Sequence, residues 1–265
     1  MMPIDRLPRL ARIVAGGLAL VATSAFAQAG GSEARPNFSG IWQALNTANW
    51  ELEAHAAEPG PPSLGALLSV APGPSFVVGG SIPYLPAALE RRRTNRANRW
   101  TADPEIKCFM PGVPRANYMP YPFQIVQGTD AIMMTYEFAD AVRIVHLNDP
   151  GEAPADSWMG WNVGRFENDA LIVDVTAQHD DTWLDRSGNY HSNALHVVER
   201  YTLRSPDVLL YEATLEDPNV YSRPWTIRMP LYRRLDENAQ LMELKCIPFA
   251  EQVLYEHIGE QASGN

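Results

Sequence analysis

From Phe123 onward the chain is a succession of short segments in which apolar and polar residues alternate. They run at 123–127, 131–138, 141–147, 161–167, 170–177, 194–203, 208–216, 222–235 and 240–246. Between them stand turn formers: Gly128-Thr129-Asp130, Ala139-Asp140, Asn148 to Gly151, Asn168-Asp169, Ser205-Pro206-Asp207, Asp217-Pro218-Asn219 and Asp236-Glu237-Asn238. A period of two places alternate side chains on opposite faces, which is the pattern of a half-buried strand. Most of the connections are too short for crossover helices, so neighbours pair as hairpins. A meander of this size must bury one face and hide its edges, and closing into a barrel does both. The expected fold is therefore mostly β, a single antiparallel barrel, with a further strand from Asn37 to Leu45.

The N-terminus reads as a secretory signal over residues 1–27. Arg6, Arg9 and Arg12 precede an apolar run from Ile13 to Ala22, and Ala25-Phe26-Ala27 forms a small-x-small cleavage site. That run is too short to span a bilayer, and no later stretch reaches the length of a transmembrane helix. The expected location is the periplasm or the exterior, without stable membrane insertion. Cleavage would leave residues 28–265 as the barrel domain, more acidic than the −10 of the whole chain. Such a charge argues against nucleic-acid binding, which needs clustered Lys and Arg; the basic run at Arg91-Arg92-Arg93, Arg96 and Arg99 reads as a solvated helix face. The two cysteines, Cys108 and Cys246, are expected to form a disulfide in an oxidising compartment. Oligomeric state is not legible.

Residues 46–122 form an irregular, partly helical excursion. Trp50 to Ala57 has a weak helical pattern, Tyr84 to Trp100 a stronger one, and the Pro-studded 103–122 segment can be neither helix nor central strand. A helical tail is expected at 249–265.

Candidate chemistry concentrates in the loop from Gln178 to Ser192. His191 with Asp181 as orienting partner is the minimum for proton shuttling, and Trp183 and Tyr190 would wall an apolar substrate. A competing reading uses Asp180, Asp181, Asp185 and His191 for a divalent metal, although the spacing fits neither an EF-hand nor a zinc helix. A hairpin at Ala139-Asp140 would set Glu137 near Arg143 on the concave face, where, with Arg115, they would hold a polar ligand end, and Tyr121 would add an apolar wall. Asp174 and His196 lie on alternating strand faces that are part apolar and part ionisable. No P-loop, G-x-G-x-x-G, G-x-S-x-G or C-x-x-C is present, so nucleotide, flavin and serine-hydrolase chemistries have no motif. The expected activity is a cofactor-independent lyase, hydratase or isomerase acting on an apolar small molecule. The alternatives are a non-catalytic carrier of such a ligand, or an envelope interaction protein whose cavity its own side chains fill.

The strings DPEIKCFMPGVPR (103–115), MGWNVGRFENDALIVDV (159–175), HSNALHVVERY (191–201) and EDPNVYSRPWTIR (216–228) together resemble a large, largely uncharacterised family of exported Gram-negative bacterial proteins that begin with an FSGxW strand. The resemblance spans Phe38 to Cys246 and implies export, the fold and the two cysteine positions, but no activity. Where the family's strand reads GRWEGD, this chain has Phe166 and Asn168. Gly40-Ile41-Trp42 also resembles the first strand of lipocalin-like barrels, in which the Trp closes one end under a late-strand arginine; Arg228, Arg233 and Arg234 are the candidates for that cover.

Overall fold

The computed structural model describes residues 35–60, 66 and 69–250. The expected signal segment and nearly all of the expected C-terminal helix lie outside these residues. Nine strands close into one barrel in chain order: β1 Gly40–Gln43, β2 Phe123–Gln127, β3 Ala131–Tyr136, β4 Val142–His146, β5 Trp161–Glu167, β6 Ala170–Thr176, β7 His196–Ser205, β8 Val208–Glu216 and β9 Trp225–Arg233. Eight neighbouring pairs are antiparallel, but β4 and β5 run parallel. The barrel is thus mixed. The reason lies in the connection: 147–160 is long enough to carry the chain back to the end from which β4 began, as a parallel pair requires. The segment expected as a strand at 240–246 is irregular; β9 already pairs with β1, so no sheet edge remains for it.

Alternation fixes what fills the barrel. Ile125, Ile132, Met134, Val145, Leu171, Val173, Val175, Val197, Tyr201, Leu209, Tyr211, Ala213, Ile227 and Leu231 are at most 1 % exposed. At that exposure neither solvent nor an internal void of water size touches them. The lumen is a packed core, not the ligand hollow expected from the sequence. Its closed end is built by the Gly40–Trp42 triplet. Trp42 is fully buried and donates from Nε1 to the Phe38 carbonyl at 2.9 Å. The guanidinium of Arg233 lies over its ring, 4.3 Å from the centroid. A Cβ on residue 40 would come within 1.9 Å of Arg233 Nη1, so glycine there is what lets the arginine reach the indole.

The excursion packs on the barrel through α1 (Pro86–Ala97), α2 (Arg99–Ala102) and two 3₁₀ turns, Pro104–Lys107 and Arg115–Tyr118. The stretch 50–57 is not helical. Leu52 N–H donates to the Asp185 carboxylate at 2.9 Å and His55 N–H to the Gly73 carbonyl at 3.1 Å, so tertiary bonds take the donors a helix would use. Cys108 and Cys246 are bonded across a separation of 138 residues. A loop that long is worth on the order of 5 kcal/mol in the chain-entropy model. The barrel, however, closes at Arg233, before the tail that carries Cys246. Reduction should therefore free the 234–250 tail to protease while lowering the thermal midpoint by only about 5 °C. Loss of the β circular-dichroism signal on reduction would contradict this.

Candidate functional site

The strands bring one set of ionisable groups into the dry interior, and it is not the expected set. Arg143 of β4 and Glu199 of β7 form an ion pair with both side chains at 0 % exposure. Glu199 Oε1 also accepts from Asn117 Nδ2 at 2.8 Å, Tyr201 OH at 3.0 Å and Tyr211 OH at 2.7 Å. Arg143 donates from Nε to Asn162 Oδ1 at 2.7 Å and from Nη1 to Tyr201 OH at 3.3 Å. Tyr136 OH donates to Asn117 Oδ1 at 3.0 Å. Burial works against the charge on Arg143, yet the carboxylate of Glu199 beside it makes the guanidinium hold its own proton more tightly than usual. Burial pushes the Tyr136 hydroxyl up to about 12 and those of Tyr201 and Tyr211 well above their ordinary value. All three phenols are therefore neutral donors at physiological pH. The 3₁₀ turn Arg115–Tyr118 seats Asn117 on this network, and Tyr118 OH ties the turn to the Leu184 carbonyl at 2.7 Å.

Above this network the barrel wall has an incomplete seam. Residues 145 and 146 of β4 pair with residues 162 and 163 of β5, and residues 142–144 have no register partner there, although β4 pairs with β3 along its whole length, 142–146. Tyr136 N–H donates to the Ala141 carbonyl at 3.0 Å. Antiparallel alternation then makes Met134 and Arg143 the next hydrogen-bonded pair. Consequently the main-chain groups of Val142 and the N–H of Ile144 turn from β3 toward the seam. The crossover 147–160 covers the gap and leaves a groove of about 500 Å³. Val142 and Ile144, exposed by 50 % and 41 %, form its floor on the barrel's outer face. Trp158, Trp161, Met110, Met159, His146 and Asp156 also line it, and Arg143 and Asn162 lie beneath the seam. Trp161 is pinned by its Nε1 bond to the Gly151 carbonyl at 3.1 Å and packs 4.8 Å from the His146 ring. Trp158 packs at a tilt against the rings of Phe109 and His179, with centroids 5.0 and 5.1 Å away. Gly160 (φ +69°) lets the crossover lie against β6, because a Cβ there would meet Val175 Cγ1 at 2.7 Å.

The residues singled out from sequence do not share a pocket. His191 is buried, but Nε2 meets Thr182 Oγ1 at 2.7 Å and Nδ1 the Ser192 carbonyl at 2.9 Å, while Asp181 is exposed. With both ring nitrogens engaged, Asp181 is not its orienting partner. Burial lowers the His191 pKa, so the ring is neutral. Glu137 does not meet Arg143. It begins a turn on the outer side, accepts from Met242 N–H at 2.7 Å, and leaves Arg143 to Glu199. Asp174 and His196 face outward and pair at 3.2 Å, both partly exposed. Tyr121 stacks on Phe138 at 5.6 Å. Trp183 and Tyr190 are buried as a bridge within their own loop, and Tyr190 OH donates to the Ala88 carbonyl at 3.2 Å. Of the expected substrate-holding residues, Arg143 alone lies at the groove. Glu199 was missed because its strand carries ionisable residues on both faces. The groove was missed because its walls come from a strand edge and a crossover loop.

Arg115 belongs to a second buried cluster, under the excursion. It donates to both Asp103 oxygens at 3.0 and 3.1 Å, to Glu105 Oε2 at 2.6 Å and to Asn49 Oδ1 at 2.9 Å, with 1 % exposure. Arg186 clamps Glu105 at 2.7 Å through two nitrogens and covers the Trp50 ring. Beside it Asp185 accepts from Leu52 N–H, Ser187 N–H and Asn189 Nδ2, and Glu51 is held by Arg92, Arg96 and Ser187. Asp185 and His191 thus spend their polar atoms on neighbours, and among the described residues no three His, Cys, Asp or Glu gather to hold a metal ion.

Burial, and then the Glu51 carboxylate, push Asp185 up to about 7 from 3.8. A carboxyl raised on folding favours the fold when protonated: its stabilisation is full below about 4 and is lost as pH rises through about 7. His191, lowered on folding, acts oppositely below its ordinary value, so the two are separated by difference. The stability of the wild-type chain relative to Asp185→Asn should fall between pH 5 and pH 8, measured by urea unfolding. A pH-independent difference would contradict the assignment.

No model of a known protein family matches the chain, and no curated protein matches it.

Proposed function

We propose that the chain is an exported binding protein that holds an apolar small molecule in the groove over the β4–β5 seam. One observation carries the reading: the pairing of the wall stops where exposed Val142 and Ile144 meet two indoles, across a space of about 500 Å³, within the range of small-molecule sites. Pinned aromatic walls and a few main-chain polar groups suit a preformed ligand site. The packed lumen supports an outer rather than an inner site. The closed end, with Arg233 over Trp42 behind Gly40, supports a lipocalin-like reading of the barrel. Export is supported by the signal-like N-terminus and by the disulfide. Among the described residues no helix is long and apolar enough to cross a membrane. Binding is favoured over lyase or isomerase chemistry because none of His191, Asp181 and Glu137 lines the groove, and because His191 spends its ring nitrogens on Thr182 and the Ser192 carbonyl while Glu137 accepts from Met242 N–H.

The test is titration with the neutral apolar fluorophore N-phenyl-1-naphthylamine. One site per chain is expected. Ala155→Trp, which fills the groove from its exposed lip, should weaken binding at least about tenfold, equivalent to roughly 1.4 kcal/mol, with the thermal midpoint unchanged. Undiminished binding by Ala155→Trp would overturn the proposal.

A further inference from the structure

Resting on the groove reading, we infer that the ligand is an organic cation, an alkyl or aromatic body carrying a substituted ammonium group. The groove presents negative charge. The crossover that forms its lip, residues 147–160, contains Asp149, Glu152 and Asp156 and no Lys or Arg. Asp156 lines the groove and is exposed. Arg143 is the one guanidinium among the lining residues, and it offers nothing to an anion. Its side chain is 0 % exposed, and its donors go to Glu199, Asn162 and Tyr201. An anionic ligand would therefore be desolvated beside a carboxylate with no free Lys or Arg to meet it, only the His146 imidazole and the seam's main-chain N–H groups. A cation finds the opposite setting. Trp158 and Trp161 put two indoles into the groove lining, and the π-system of an indole attracts positive charge; Asp156 adds a counter-charge at the mouth, and the Val142 carbonyl turned to the seam is a further acceptor. The Met and Val side chains take the apolar body. The chain already uses such contacts internally, with Arg233 over Trp42 and Arg186 over Trp50, both 4.3 Å from the ring centroid.

The experiment compares three benzyl probes by calorimetry or tryptophan quenching: benzyltrimethylammonium, its uncharged carbon isostere neopentylbenzene, and the anion phenylacetate. The expected order is the ammonium tightest, by roughly five- to thirtyfold over the isostere, with phenylacetate weakest. Asp156→Asn should reduce the ammonium's advantage and leave isostere binding unchanged. Trp161→Leu should weaken both. If the isostere binds as tightly as the ammonium and is lost in Ala155→Trp, the cation inference falls while the groove reading stands. If neither binds, or binding survives Ala155→Trp, both fall.

Discussion

Glu199→Leu is expected to destabilise the chain by about 3–5 kcal/mol, the usual cost of leaving one member of a buried ion pair alone. Glu199 is fully buried and accepts from Arg143, Asn117, Tyr201 and Tyr211. Its removal strands a guanidinium at 0 % exposure and leaves phenols that burial keeps protonated without their acceptor. The double variant Glu199→Leu/Arg143→Met should recover most of the loss, because a pair of apolar side chains asks for no counter-charge in a packed interior. Urea unfolding, with the slope checked for constancy, gives both values. Equal destabilisation of the single and double variants would show that the volume of the pair, not its charge balance, holds the barrel's centre.

Arg115→Met should cost a similar amount, about 3–5 kcal/mol, through a different part of the molecule. Arg115 neutralises Asp103 bidentately and Glu105 through one oxygen, all three side chains being at most 4 % exposed. Arg186 still reaches Glu105 in the variant, but Asp103 loses its cation. Lysine should rescue only partly, since a point charge cannot reproduce two parallel N–H bonds. Acid sensitivity adds a second readout. Burial works against the Glu105 charge, but Arg186 and Arg115 together lower its pKa to about 2 from 4.5. A carboxyl lowered on folding stabilises the fold above its unfolded value, and that stabilisation is lost as pH falls toward 2. In Arg115→Met the acid transition should begin at higher pH. An unshifted acid limb would remove Arg115 from the network that holds Glu105 ionised.

Strand existence was legible because it depends on local alternation. Eight of the nine segments expected after Phe123 are strands, and Tyr84–Trp100 holds its helix. The ninth, 240–246, alternates equally well but finds no edge to pair with. The Gly40–Trp42 triplet and the Cys108–Cys246 bond were legible for a related reason: each is written in residue types whose chemistry leaves few options. The candidate site was not. His191 and Asp181 are close in sequence, but the loop buries one and exposes the other. Glu137 and Arg143 flank a hairpin turn yet point to opposite sides of the sheet.

By itself, then, the sequence determined where eight of the nine expected extended stretches lie, where the chain turns and which cysteines join, because sterics, backbone freedom and covalent chemistry act over a few residues or through one bond; which of Arg228, Arg233 and Arg234 covers Trp42 was left to the fold, which seats Arg233 there. Tertiary structure alone decided that β5 returns parallel to β4, that Arg143 meets Glu199 across 56 positions, and that a seam beside Trp158 and Trp161 stays open. Those outcomes depend on which strand edges are left when the sheet closes, and closure is a property of all nine strands together.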